Sequence, residues 1–371
     1  MIRKIIKILI VIFIIIVILA CVAVAFIKFY KPLGASPNSK DREDYIKRAD
    51  NFDGKKFKNT GSFSLKTNYE DNYKNRTTGK GKTPKGDIPY VEYNYIHPEN
   101  DDDVLITWFG HSTVLIQMHG MNILVDPIFE DIASPVKFTG PKRYSKAPAR
   151  ISDLPDIDIV LITHDHYDHL SYDTIKKLDG RVKKYLVPLG IEKDLEKFGV
   201  SSDKITNMAW WEEQDIDGLK IVCTPARHFA GRYLFDSNYT LWSSFVLKDE
   251  YNTIFDSGDT GYGDHFEEIS RKYGPVSLAL LDGAQYSEKW HDVHMFPEES
   301  VMASLKMDAK VSMLVHNSAF VLSDHSWDDP LERFTRYATE NSIEYMQPKL
   351  GETVNLKDYK NYQEKWWKDV E

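Results

Sequence analysis

Val160-Leu161-Ile162-Thr163-His164-Asp165-His166-Tyr167-Asp168-His169-Leu170 is the stretch on which the reading of the whole chain turns. The apolar, β-branched run from Ile157 to Thr163 reads as a buried strand, and it empties into three histidines and two aspartates within six residues. In extended backbone, positions i and i+2 point the same way, so His164 and His166 can converge on one point. Asp168 and His169 follow where the chain must turn, and can aim at a second point nearby. Imidazole and carboxylate without thiolate suit zinc or a similar divalent metal. The bland alternative is a polar loop closing a strand, and four potential ligands at this spacing argue against it.

Further along the chain, other apolar runs end in polar residues. Leu219–Thr224 reads as a strand followed by Pro225-Ala226-Arg227-His228; alone, His228 would be an ordinary loop histidine. Leu241–Leu247 and Thr253–Phe255 read as a strand pair, followed by Gly258-Asp259-Thr260-Gly261. A glycine-bracketed aspartate at a strand end can approach a metal closely, because the backbone there turns sharply. Asp256 reads as a turn former, and Asp264 as the cap of a solvent-exposed helix from His265 to Arg271. Val311–Val315 is the last apolar strand and delivers His316. Ser171 is expected to cap a helix to Leu178, and Gly199 to end one over Ile191–Phe198. The adjacent Trp210 and Trp211 should face opposite ways on extended chain, one in the core and one at a pocket wall. Trp366 and Trp367 read as a packed helix end, or else as an interface anchor.

The amino terminus has a different texture. From Ile8 to Ile27 no residue is charged, and a helix of that length spans roughly the 30 Å hydrocarbon layer. Arg3, Lys4 and Lys7 precede it, so a single-pass membrane anchor is expected, with the body of the chain outside the cytoplasm; a cleaved signal peptide has a shorter apolar core. The expected organisation is an anchor over 1–31, a polar, basic juxtamembrane segment over 32–103, a catalytic domain over 104–352 and a tail over 353–371. Residues 54–86 carry nine basic residues interleaved with aromatics. They read as a solvated linker whose aromatics pack on the domain, with bedding into anionic lipid headgroups as the alternative.

The 371 residues suffice for one large domain with appendages, and the apolar fraction of 42% supports a sizeable core. A net charge of −9 argues against nucleic acid as a partner. The two cysteines, Cys21 and Cys223, lie in unlike contexts, so no disulfide is expected.

The H-x-H-x-D-H stretch resembles the signature of the metallo-β-lactamase fold. Thr107-Trp108-Phe109-Gly110-His111-Ser112-Thr113, Val125-Asp126-Pro127-Ile128-Phe129, Gly140-Pro141-Lys142-Arg143, Trp210-Trp211-Glu212 and Gly258-Asp259-Thr260-Gly261-Tyr262 extend the likeness. Together they resemble the N-acyl-phosphatidylethanolamine-hydrolysing phospholipases D and their bacterial relatives, from about Leu105 to Gly351. The resemblance implies an α/β fold, a four-layer αββα sandwich with metals at one edge. It implies two divalent ions, expected to be Zn2+: one held by His164, His166 and His228, the other by Asp168, His169 and His316, with Asp259 bridging. Asp126 would orient a ligand histidine. His111 would lie near the metals or be a satisfied structural histidine. Asp168 is also a candidate proton acceptor, and His294 a substrate-contacting or proton-shuttling one.

The implied reaction is hydrolysis of an N-acylated phosphatidylethanolamine to phosphatidic acid and an N-acylethanolamine, with a membrane phospholipid as the substrate. Asn317-Ser318-Ala319 and Asp282 depart from the family pattern, in the pocket rather than among the ligands, and this puts the substrate in doubt. A lactone or another phosphodiester is the alternative substrate, and a non-catalytic, membrane-tethered binding protein is the alternative of another class.

Overall fold

The computed structural model describes residues 2–61, 81–233 and 235–370. It opens with helix α1 (Ile2–Phe29), 28 residues long and therefore about 42 Å, more than the hydrocarbon thickness of a bilayer. Its Ile, Val, Leu and Phe side chains account for most of the large exposed apolar groups of the molecule. This is one helix long and apolar enough to cross a membrane.

The chain then docks rather than wanders. Tyr30 donates to the Pro135 carbonyl at 2.6 Å, and Arg232 donates to the Pro32 carbonyl at 2.8 Å. Helix α2 (Ser39–Arg48) follows, opened by a capping box in which Asn38 and Asp41 satisfy each other's free N–H groups. Tyr45, Phe52 and Phe57 are buried with Leu189, Leu241 and Trp242. Each such ring contributes about 1.5–3 kcal/mol by leaving water, whereas the part-exposed Arg48–Glu212 pair at 2.6 Å adds at most about 1 kcal/mol. The aromatic side chains therefore fasten this strap. Of the aromatics expected to pack on the domain, Phe63, Tyr69 and Tyr73 lie outside the described residues.

Two sheets make the body. The first comprises β1 (Leu105–Trp108), β2 (Val114–Met118), β3 (Met121–Val125), β4 (Ile157–Leu161), β5 (Val182–Pro188), β6 (Ile205–Met208) and β13 (Thr353–Asn355), in the order β13-β1-β2-β3-β4-β5-β6. The second runs β12-β11-β10-β9-β8-β7, from β7 (Glu213–Ile216), β8 (Leu219–Thr224), β9 (Ser244–Lys248), β10 (Thr253–Asp256), β11 (Val276–Leu281) and β12 (Ala309–Leu314). β3, β4, β5 and β6 pair in parallel, as do β10, β11 and β12; the other neighbours are antiparallel. Alternation sorts the side chains. Ile159 and Leu161 of β4 join Ile221, Phe245 and Leu278 in the core between the sheets. Val160 faces the other way, onto Ile175, Leu178 and Leu195 of the outer helices α3 (Tyr172–Leu178) and α4 (Ile191–Phe198). Helices α5 (His265–Tyr273), α6 (Pro297–Lys306) and α7 (Asp329–Glu340) complete the described α elements. The architecture is the two-sheet α/β sandwich expected from the sequence, with an amino-terminal apolar helix.

Ser171 accepts from the Thr174 N–H at the start of α3, and Gly199 ends α4 at φ 114°, both as expected. Other expectations need correction. Trp210 and Trp211 are both half-buried, because the chain turns there instead of staying extended: Glu212 N–H bonds Ala209 carbonyl at 3.1 Å and Trp211 has φ 74°. Asp264 precedes α5 without capping it, its carboxylate lying 3.5 Å from Lys306, and Phe266 and Ile269 bury one face of that helix. The tail is not peripheral. Residues 353–355 pair with β1, and Trp366 and Trp367, in the turn Trp366–Asp369, are buried in the central core, which agrees with the packed helix end expected first and rules out the interface anchor.

Candidate metal centre

β4 ends at Leu161, and the next residues leave the sheet as a loop whose polar side chains turn toward the opposite strand ends. His164, His166, His228 and Asp259 form one cluster, and His111, Asp168, His169 and His316 another, their candidate ligand atoms all within 4.8 Å of one another in each. His228 comes from the loop after β8, Asp259 from the turn after β10, and His316 from the end of β12. The seven side chains singled out as ligands are thus brought together at one edge of the sandwich. His164, His169, His228, Asp259 and His316 are buried; Asp168, His166 and His294 are partly open.

In the first cluster, His166 Nδ1 lies 2.9 Å from His164 Nε2 and 3.2 Å from His228 Nε2. Asp259 Oδ2 stands 3.6 and 3.8 Å from those two Nε2 atoms. In the second, Asp168 Oδ2 is 3.5 Å from His169 Nε2, 3.3 Å from His316 Nε2 and 2.7 Å from His111 Nε2. Asp259 also borders the second group, its Oδ2 3.2 Å from His169 Nε2 and its Oδ1 2.9 Å from His316 Nδ1, the other nitrogen of the ring whose Nε2 faces Asp168. Asp259, Asp282, His294 and His316 make a third group of the same kind.

One buried carboxylate sets the inward-facing nitrogens of two of these rings. Asp126 accepts from His169 Nδ1 at 2.7 Å and from the Thr163 hydroxyl at 2.6 Å. With its proton committed to Asp126, the Thr163 oxygen accepts from His164 Nδ1 at 3.0 Å. Both rings therefore carry their proton at Nδ1 and present Nε2 to the cluster. His228 is set likewise, its Nδ1 donating to the Val293 carbonyl at 3.1 Å.

The donor set fits divalent cations. Ligand bonds of 2.0–2.1 Å in a tetrahedron put donor atoms roughly 3.3 Å apart, which is the spacing of these groups. His164 and His228 both present Nε2 lone pairs toward His166 Nδ1, a convergence that a cation bound among the three rings would satisfy. His169 Nε2 and Asp259 Oδ1 are buried and face charged neighbours, Asp259 Oδ2 at 3.2 Å and His316 Nδ1 at 2.9 Å, without a well-directed hydrogen bond. Burial pulls His164, His166 and His228 below the ordinary histidine value. Burial acts in the same sense on His169 and His316, but Asp259 and the other nearby carboxylates outweigh it and hold both well above that value. Asp168 and Asp259 stay ionised against the cost of burial because of these histidines.

Two residues enter the site more deeply than the sequence suggested. His111 is buried with its Nε2 on Asp168, and so orients that carboxylate. Asp282, expected in the pocket away from the ligands, is fully buried among them. It accepts from His294 Nδ1 at 2.8 Å and lies 3.3 Å from His316 Nδ1. The reason is the parallel pairing of β11 with β12, which brings Asp282, just past Leu281, beside the end of β12 that delivers His316. His291 is exposed and paired with Glu299 at 2.8 Å, away from the cluster. His111, Asp126 and His316 all have left-handed backbone, at φ 55°, 40° and 64°. Each costs of order 1 kcal/mol. Cross-bonding holds them: His316 N–H reaches the His111 carbonyl at 2.9 Å, His111 N–H reaches Asn317 at 2.7 Å, and Asp126 N–H reaches Leu161 at 3.0 Å.

Comparison with known proteins agrees with this geometry. The profile of a beta-lactamase superfamily domain matches residues 121–317, and the chain belongs to the metallo-β-lactamase superfamily. It is 38% identical over 276 residues to an uncharacterised protein of Mycobacterium tuberculosis, covering 73% of this chain and 74% of that one. It is 34% identical over 229 residues to N-acyl-phosphatidylethanolamine-hydrolyzing phospholipase D 1 of Caenorhabditis elegans, covering 58% of this chain and 64% of the worm protein. Among solved structures, Igni18, a metallo hydrolase from the archaeon Ignicoccus hospitalis, superposes with a TM-score of 0.52 at 22% identity, over 68% of this chain and 98% of its own. The chain is a metal-dependent hydrolase of this superfamily, and the fold implies divalent metal ions.

Proposed function

We propose that the protein is a membrane-anchored, dinuclear phosphodiesterase of phospholipase D type, cleaving N-acyl-phosphatidylethanolamine to phosphatidic acid and an N-acylethanolamine. The observation that carries the reading is Asp259, one carboxylate within reach of histidines from both clusters. The worm phospholipase D supports the substrate class, and α1 would keep the site beside lipid, with the body outside the cytoplasm. His164, His166 and His228 would hold one ion and Asp168, His169 and His316 the other, with Asp259 in reach of both groups.

Two divalent ions, expected to be Zn2+, would when bound supply the Lewis acidity for ionising a water near neutral pH and for offsetting charge on the phosphodiester. The side chains supply the remainder. Asp168, held by His111 and partly open, accepts the water's proton. Attack at phosphorus breaks its bond to the N-acylethanolamine oxygen, which must be protonated to leave. His294, at the open edge and fixed by Asp282, is placed to contact the substrate or to pass that proton.

The test is hydrolysis of N-acyl-phosphatidylethanolamine by detergent-solubilised protein, beside a lactone and a simple phosphodiester, with bound metal determined. The wild type should release N-acylethanolamine and carry two ions. Asp259→Asn should lose metal and lower the rate by at least about 100-fold, since disturbing an outer partner alone costs 10–100-fold. Full activity in that variant removes the bridging role; preference for the lactone moves the substrate class.

A further inference from the structure

We infer that Asn59 is a positioning residue for the His228 corner of the metal centre, so that the strap joining the apolar helix to the sandwich is a working part of the site. The inference rests on the reading of His228 as a ligand.

His228 has no strand to hold it. β8 ends at Thr224, and the loop from Pro225 to Ala230 crosses to the cluster without a ladder partner. Its neighbours are tied to separate segments: Arg227 N–H donates to the Thr260 hydroxyl at 2.9 Å, and Ala230 N–H to the Asn238 side chain at 3.1 Å. His228 itself is clasped by one side chain. Its N–H donates to Asn59 Oδ1 at 3.1 Å, and its carbonyl accepts from Asn59 Nδ2 at 2.7 Å. An amide N–H can only donate and a carbonyl only accept, so this pair fixes which way the Asn59 amide points. Asn59 thus bonds both backbone groups of His228. The ring is set from the opposite side by the Val293 carbonyl, so backbone and imidazole are held independently.

Asn59 is itself placed by the strap. Arg48 makes a two-pronged bond to Glu212 at 2.9 and 2.6 Å. Phe57 N–H donates to the Asn238 carbonyl at 2.9 Å, the residue whose side chain also holds Ala230. A clasp of this shape, an amide bonded to both backbone groups of a single residue, requires the donor and the acceptor together. Alanine supplies neither, and aspartate supplies only the acceptor. Partners that hydrogen-bond a ligand's ring change metal affinity by about 10–100-fold when lost, and a clasp on the ligand's backbone acts on the same ring through its anchoring.

The experiment uses the full chain in detergent, stripped of metal and titrated with Zn2+ against a chromogenic chelator. Wild type, Asn59→Ala, Asn59→Asp and His228→Ala are compared, with the melting temperature of each metal-free protein. Asn59→Ala should weaken Zn2+ binding at one site by about 10–100-fold with the metal-free melting temperature within about 2 °C of wild type, and Asn59→Asp should fall between. Unchanged affinity in Asn59→Ala while His228→Ala binds weakly overturns the positioning role. So does a lowered melting temperature with unchanged affinity, which makes Asn59 a strap fastener only. Unchanged affinity in His228→Ala as well removes the ligand reading beneath it. If Asn59→Ala does not fold, the visible spectrum of Co2+-loaded Asn59→Asp decides: shifted bands support the role, and a wild-type spectrum overturns it.

Discussion

The two clusters that share Asp259 are built in opposite ways. The first gathers three histidines with Asp259 as its carboxylate, and burial keeps the rings neutral, the form that binds a cation. The second sets His169 and His316 among Asp126, Asp168, Asp259 and Asp282, which favour protons on both rings. Support differs as well. His228 hangs on a loop and the strap, whereas His316 lies just past the end of β12 and is cross-bonded to His111. The lesson is that similar ligand lists can carry different linkage to protons and to the rest of the chain.

The comparison breaks most visibly at the ligands. His228→Ala and His316→Ala should each leave one ion per chain and lower hydrolysis by at least about 100-fold, measured by metal analysis and a phospholipid assay. Loss of both ions in either variant would mean that the clusters are not separable. Asp126→Asn is expected to act on both sides, because Asp126 fixes His169 directly and His164 through Thr163. Zn2+ affinity should fall by about 10–100-fold at each site in a competition titration. An effect confined to one site would cut the Thr163 link from the account.

A smaller effect sharpens the contrast. With the folded-state values of His169 and His316 raised, the metal-free protein holds protons there at neutral pH, and an ion must displace them. Affinity at the second site should therefore climb as pH rises from 6 toward the raised values. The first site, whose histidines are already neutral, should change little over the same window. Calorimetric titrations in buffers of different ionisation enthalpy count the protons released at each step. Equal release at the two steps would erase the distinction.

Much of this centre could be read from the sequence, and the limits have physical causes. His164, His166, Asp168 and His169 are local, so strand periodicity and spacing reveal them. His228, Asp259 and His316 sit at ends of apolar runs, but only the family resemblance joined them to the motif, because convergence of distant strand ends is a property of the sandwich. Asp282 was misplaced for the same reason: its role comes from the parallel pairing of β11 and β12. The strap hid behind a polar, lysine-rich composition that reads as linker. Its one local signal was Asn38-Ser39-Lys40-Asp41, the capping-box pattern that opens α2. Nothing in the residues around Asn59 announces a contact with His228, since that bond spans 169 positions. The turn at Trp210 and Trp211 was missed because adjacent aromatics suggest a strand.

The most direct measurement is anomalous diffraction at the zinc absorption edge from crystals of the Zn2+-loaded protein. The account predicts two peaks, one within bonding distance of His164, His166 and His228, the other of Asp168, His169 and His316, with Asp259 touching both. A single peak, or peaks away from Asp259, would contradict it.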